Sequence, residues 1–432
     1  MGGLKRWIPA VMWLREYKRE ELRGDMMAGL TVAIMLIPQG MAYAMLAGLP
    51  PQVGLYASLL PPFLYALLGT SRQLSFGPVA MDSLLVATGV GAMALAGSAD
   101  YLALAITLGV LVGLMQIGMG LARLGFLVNF LSRPVISGFT SAAALIIGLS
   151  QLKHLVGLKL ERSSQIQVIV VDVFKKIGGL HGLTLGIGVV SMVLLVWVKK
   201  RHPTWPGALF VVLLGTLAVW GFGWERSGVQ IVGAVPAGLP GLTMPRYDWG
   251  TIERLLPIAL TIALVAFLEG ISVARAIATK RRYAVDANQE LIAMGVANLG
   301  GGLTGGYPGT GGLSRSAVND QAGARTGLAS MITALLVALT LLFFTPLFYF
   351  LPKAVLAAIV MVAVFGLIEF QEPFRLWKIQ RMDAVLLLLT FGVTLTGGNQ
   401  QGIAVGVVVS LLLFLARSTR PHTAVLGRIK GT

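Results

Sequence analysis

With 432 residues, 56% of them hydrophobic and only 12% charged, and a mean hydropathy of +0.81, the chain falls outside the soluble globular class and reads as an integral membrane protein. Its net charge of +16 sits in short connections between apolar runs, which speaks for membrane topology and against nucleic acid as a partner. Zero cysteines exclude disulfides and thiolate chemistry, and the four histidines have no metal-ligand spacing.

Residues 1–25 carry Lys5, Arg6, Arg15, Lys18, Arg19 and Arg23, lack a small-residue cleavage site, and read as a cytoplasmic N-terminal segment. About fourteen apolar runs follow, of the ~17–25 residues that cross a bilayer. Seven lie near 26–47, 52–69, 78–96, 101–121, 134–152, 181–198 and 206–222, forming a first repeat over 26–222. A Gly/Pro-rich connection, 223–250, joins them to a second repeat over 251–417, with spans near 252–275, 286–300, 312–322, 327–345, 353–369, 383–396 and 401–417. Clusters at Lys199–Arg201, Lys280–Arg282 and Arg375–Arg381 place both termini in the cytoplasm of a cell inner membrane. The segment 153–176 disagrees, with five basic residues on the opposite side, and is expected to form an amphipathic surface helix.

The stretch GGGLTGGYPGTGGLSRSAVN (300–319) interrupts this pattern with eight glycines, a proline and a lone arginine. Irregular backbone at membrane depth survives only where protein buries it or it lines a wet cavity, so this stretch marks a site. A helix restarting near Gly312 would turn its N-terminal N–H groups toward an anion, with Ser314 and Arg315 in its first turn. The first repeat holds a counterpart, SFGPVAMDS (75–83). Some forty residues before each restart, MLIPQGMAYAM (35–45) aligns without gaps on VAFLEGISVAR (265–275), pairing Gln39 with Glu269 and Gly40 with Gly270. Paired interrupted segments in two halves point to a secondary-transporter site, and seven spans per half make the second half inverted.

The stretches IPQGMAYAMLAGLPPQVGLYAS (37–58), LSFGPVAMDSLL (74–85), LEGISVARAIA (268–278) and GTGGLSRSAVNDQAGAR (309–325) resemble the SulP anion permeases, the solute carrier family 26 relatives, over essentially the whole chain. The resemblance implies an all-α polytopic membrane protein of fourteen spans in a seven-plus-seven inverted repeat. In it a core domain moves against a gate domain, and spans 3 and 10 are half-helices, each after a short extended segment. Relatives often form dimers, which makes a homodimer an expected assembly. Residues 418–432 resemble the start of the cytoplasmic linker to the family's STAS domain, which the chain is expected to lack. By motif, Gln39, Tyr43, Val79, Ala80, Leu313, Ser314 and Arg315 fall on the anion pocket. Gln39 and Ser314 can donate hydrogen bonds, Tyr43 can wall the pocket, and the backbone at Val79, Ala80, Leu313 and Ser314 can bind oxyanion edges. Some relatives have a bulky aromatic where Val79 stands, which implies a roomier pocket here.

An arginine inside the membrane needs a partner, so Arg315 serves either the anion or a structural counter-ion. Glu269 sits mid-span, where a carboxylate can carry a coupling proton or hold a fixed ion pair with Arg315; Arg275, six residues on, is too far round the helix. Sodium is the weaker alternative, because sodium-coupled relatives carry an acid where this chain has Ser272. Asp82 reads as ordinary first-turn dipole stabilisation, and Ser83 and Thr88 as hydroxyls bonded to i−4 carbonyls. No P-loop lysine, nucleophile elbow or H-E-x-x-H is present, so neither ATP drive nor an enzyme is expected, and no cofactor. The expected function is proton-coupled transport of a small anion by alternating access. Sulfate comes first, fumarate and bicarbonate next, and an uncoupled channel or exchanger on the same fold is the rival. A nucleobase permease would want acids in spans 8 and 10, where span 10 offers Ser314 and Arg315.

Overall fold

The computed structural model describes residues 8–129, 133–158, 166–201, 205–246 and 248–397, with five more positions between 401 and 409. The last expected span, 401–417, lies largely outside the described residues, and the linker at 418–432 lies wholly outside them. In chain order the helices are α1 (Ala10–Glu16), α2 (Arg19–Ala47), α3 (Pro51–Tyr56), α4 (Leu60–Leu68), α5 (Ala80–Gly91), α6 (Ala99–Leu121), α7 (Arg133–Leu155), α8 (Ile166–Lys176), α9 (Gly182–Arg201) and α10 (Gly207–Phe222). After the connection come α11 (Trp249–Arg281), α12 (Ala287–Leu303), α13 (Leu313–Gln321), α14 (Leu328–Leu339), α15 (Lys353–Phe365), α16 (Glu372–Ile379) and α17 (Arg381–Gly397). Two strands, β1 (Phe76–Gly77) and β2 (Thr310–Gly311), precede α5 and α13. Among the described residues, five helices are long and apolar enough to cross a membrane.

Sequence chemistry explains where helices begin and stop. α2 starts at Arg19, seven residues before the apolar run, because Glu21 caps the N–H of Lys18 at 3.0 Å. Pro38 lies inside α2 without ending it and removes only the N–H that would reach Ile34. The run 52–69, expected as one span, is two short helices, because Pro61 and Pro62 cannot donate to the preceding turn and instead open α4. α5 is shorter than expected, ending at Gly91. The amphipathic helix expected within 153–176 is α8, whose Lys176 pairs with Asp172 at 2.8 Å.

The helices pack in two sets. α2 through α6 interleave with α11 through α14: α12 lies on α4 and α6, α14 on α2 and α4, and α11 on α5 and α6. α7, α9 and α10 pack with α15 and α17, and α2 touches α10 and α15 of that second set. The connection 223–250 is bonded along the second half rather than free: Val232 N–H donates to Leu351 O, Gly238 N–H to Leu341 O and Thr243 N–H to Leu303 O.

Buried carboxylates pin the interleaved set. Glu290, fully buried at the start of α12, accepts from Tyr65 Oη, Thr70 N and Thr70 Oγ1, each at 2.6 Å, and from Ser71 N at 3.0 Å. Asp25 on α2 likewise accepts from Arg325 N, Thr326 N and Thr326 Oγ1, tying the first helix of one half to the loop before α14. Glu290→Gln keeps the shape but replaces one acceptor by a donor amid four donors. It is expected to lower stability by about 1–2 kcal/mol, read as a lower melting temperature of the detergent-solubilised protein.

Candidate functional site

The two glycine-rich restarts meet each other. β1 pairs antiparallel with β2, Phe76 opposite Gly311 and Gly77 opposite Thr310. The pairing is extended by Gly312 N–H to Ser75 O (3.1 Å), Ser75 N–H to Ser316 Oγ (2.9 Å) and Asn319 Nδ2 to Gln73 O (2.9 Å). These bonds satisfy the backbone of two segments that could not otherwise lie inside a membrane protein. A second set fixes the approach to β2: Gly309 N–H donates to Asn298 Oδ1, Asn298 Nδ2 to Gln116 Oε1, and Gln116 Nε2 to Ala263 O. Thr310 Oγ1 donates to Ala266 O, one turn before Glu269.

From this crossing α5 and α13 depart in opposite senses, and neither has a side-chain cap. Val79, the N-cap of α5, is extended (φ −132°, ψ 158°), and its carbonyl accepts from Ser83 N and Ser83 Oγ. Among the described residues, no acceptor meets the N–H groups of Ala80, Met81 and Asp82, or those of Leu313, Ser314 and Arg315. Two helix N-termini with free N–H groups and positive dipole ends therefore flank one crossing.

Arg315 lies between them. Its side chain is 1% exposed, and Nη1 donates to Pro78 O at 2.7 Å, reaching from the first turn of α13 to the residue before the α5 N-cap. Gly312 makes room for it: a Cβ there would come within 2.9 Å of the guanidinium carbon. Nε and Nη2 are buried with no protein partner. The fixed ion pair weighed for Glu269 is absent; among the described residues, no carboxylate lies within 4.0 Å of Arg315 or of Arg275. Arg315 does interact electrostatically with Glu269, and Tyr43 and Tyr307 lie nearby.

The other expected residues divide. Gln39 and Tyr43 are buried on adjacent turns of α2, Gln39 with Oε1 unpartnered. Val79 and Ala80 are buried at the α5 start, whereas Leu313 and Ser314 are exposed, opening the α13 end outward. Glu269 is half-buried on α11 and makes no hydrogen bond or ion pair among the described residues. Ser83 and Thr88 bond their i−4 carbonyls as expected, at 2.7 and 2.9 Å. Asp82 departs from its reading as a helix-end stabiliser: its carboxylate is fully buried, caps nothing, and has no partner on either oxygen.

Sequence reasoning missed Tyr307 and the Asn298–Gln116 relay. Tyr307 is buried, and its hydroxyl lies 3.0 Å from Ser83 Oγ; since Ser83 gives its proton to Val79 O, Tyr307 is the donor. A large aromatic amid eight glycines was the available signal.

The sequence signature of the sulfate permease family matches residues 22–390. Sulfate transporter 4.1, chloroplastic, of Arabidopsis thaliana is 42% identical over 99% of this chain, and a probable sulfate transporter of Mycobacterium tuberculosis (strain CDC 1551 / Oshkosh) is 40% identical over 98% of it and 76% of its own length. The chain spans 64% of the length of the first of these relatives. Among solved structures, the murine solute carrier 26 family member A9 anion transporter in the inward-facing state superposes with a TM-score of 0.90 at 29% identity, over 96% of this chain and 72% of that one. The transmembrane domain of the cyanobacterial bicarbonate transporter BicA shares the fold, with a TM-score of 0.78 at 23% identity over 91% of this chain and 97% of that one.

Proposed function

The chain belongs to the sulfate permease family, a family of transporters rather than enzymes, and from that membership we propose that it is a secondary active carrier of a small oxyanion, with sulfate the first candidate. The observation that carries the proposal is Arg315, buried beside two uncapped helix N-termini with two of its nitrogens unpartnered. Such a place is stable only if an anion completes it for part of the cycle. The relatives' names supply sulfate, and tetrahedral oxygens suit a pocket that a valine rather than an aromatic lines.

In this reading the protein has fourteen spans in an inverted seven-plus-seven repeat, with α5 and α13 as the half-helices of spans 3 and 10. α2–α6 with α11–α14 form the core that carries the anion, and α7, α9, α10, α15 and α17 form the gate. It lies in a cell inner membrane with both termini cytoplasmic, and it pairs as a homodimer. Glu269 binds the coupling proton: it is half-buried, free of a fixed partner among the described residues, and close enough to interact with Arg315, so its protonation state changes with the anion's arrival.

Purified protein in proteoliposomes is expected to take up labelled sulfate faster than fumarate or bicarbonate when an inward proton gradient is imposed, with trans-stimulation by unlabelled sulfate. Glu269→Gln is expected to leave counterflow intact and remove the response to the gradient. Uptake indifferent to the gradient in the unsubstituted protein would sink proton coupling, and large unitary currents without counterflow would replace the carrier by a channel.

A further inference from the structure

We propose that Asp82 is a second proton-binding site, acting with Glu269 so that two protons accompany each divalent anion; this rests on the proton-coupled carrier reading above. Asp82 is fully buried in the first turn of α5, and neither of its oxygens meets a donor. An ionised carboxylate without a partner is costly in such a place, so Asp82 is driven to take up a cation for part of the cycle. Among the described residues, no group of three or more His, Cys, Asp or Glu side chains could hold a metal ion, and Ser83, the neighbouring hydroxyl, has given its proton to Val79 O. A proton needs no further ligands, and it is the cation assigned here.

The surroundings link it to the transport site. Glu269, from α11, interacts electrostatically with Asp82, and Tyr307, from the segment before β2, lies close to it. Tyr43, from α2, interacts with Glu269, Arg315 and Tyr307. α6 and α7 also pack on α5, but their ionisable residues lie in end turns: Asp100 is paired with Arg246, Tyr101 donates to Ala47 O, Arg133 begins α7, and Lys153 and His154 end it. Glu269 is half-buried where Asp82 is fully buried. A proton from bulk water therefore reaches Glu269 first, and Asp82 fills from it.

The charge count gives this pair a role. With a dianion bound and both carboxylates protonated beside Arg315, the site has the same net charge as the empty site with both ionised. The core then meets the same electrostatic barrier in both directions of its cycle, which one carboxylate cannot arrange for a divalent anion.

The full chain in proteoliposomes, with membrane potential clamped, gives the proton-to-sulfate ratio from the pH gradient that just balances an opposing sulfate gradient. The expected ratio is two for the unsubstituted protein and for Asp82→Glu, falling to one in Asp82→Asn, whose uptake becomes sensitive to voltage. A ratio of one in the unsubstituted protein overturns the inference while leaving single-proton coupling through Glu269 in place, and so does a ratio of two retained in Asp82→Asn. If Asp82→Asn fails to fold, the unsubstituted ratio decides alone. Uptake that ignores the pH gradient altogether removes the proton-coupled reading itself, and this inference with it.

Discussion

Arg315→Met is expected to cut sulfate affinity by roughly 10–100-fold, seen as a raised half-saturation concentration for uptake, while leaving the melting temperature of the anion-free protein unchanged or higher. The first effect follows from losing charge-assisted hydrogen bonds, worth about 1.5–3 kcal/mol, to an anion at the crossing. The second follows from the guanidinium's isolation. Among the described residues only Nη1 has a protein partner, Pro78 O, while Nε and Nη2 are buried unpaired. Methionine fills similar volume and removes a buried charge whose desolvation Pro78 O and the nearby Glu269 offset only in part. A purely structural arginine would give the opposite pair of results, a lower melting temperature with affinity retained. Arg315→Lys restores the charge but not the planar fork, so it is expected to recover only part of the affinity.

Gly54→Ala is expected to abolish assembly of the folded protein or to lower its stability by more than the ~1–3 kcal/mol usual for overpacking. A Cβ there would stand 1.9 Å from Gly40 O and 2.4 Å from Gly40 C, both backbone atoms of α2. α3 lies against α2 at this point, and relief requires moving the turn that carries Gln39 and Tyr43. Gly118→Ala on α6 is the control: nothing lies within 4 Å of the added carbon. Because glycine is the poorer helix former by ~1 kcal/mol, this substitution should be neutral or mildly stabilising. Fluorescence-detected gel filtration and thermal melts of the two variants read the difference directly.

What could be read from the sequence tracks how local each cause is. Helix length and hydropathy located most of the helices, and glycine with proline marked both strands of the crossing, because these act within a few residues. Pro61 and Pro62 were equally visible, yet the run 52–69 was still expected as one helix, since hydropathy does not register a break. The bonds that set the site are non-local. Asn298 reaching Gln116, Tyr307 reaching Ser83 and Glu290 gathering four donors from the α4 end depend on partners 182 to 225 residues away. No periodicity encodes them. Asp82 shows the same limit in reverse: a first-turn acid ordinarily steadies its helix, and only its burial without a partner gives it another meaning.

The β1–β2 crossing also constrains how the protein is made. The N–H of Ser75 finds its acceptor on Ser316, 241 residues later in the chain. At ~5–20 residues per second, a ribosome needs roughly 10–50 s to supply that partner. Throughout that interval the Ser75 N–H lacks the acceptor it has in the folded protein, and lipid cannot supply one. It must wait in water or against an insertion chaperone. The crossing is therefore completed only after the second half has been synthesised, and a chain stopped before residue 310 lacks the strand that pairs with Phe76 and Gly77.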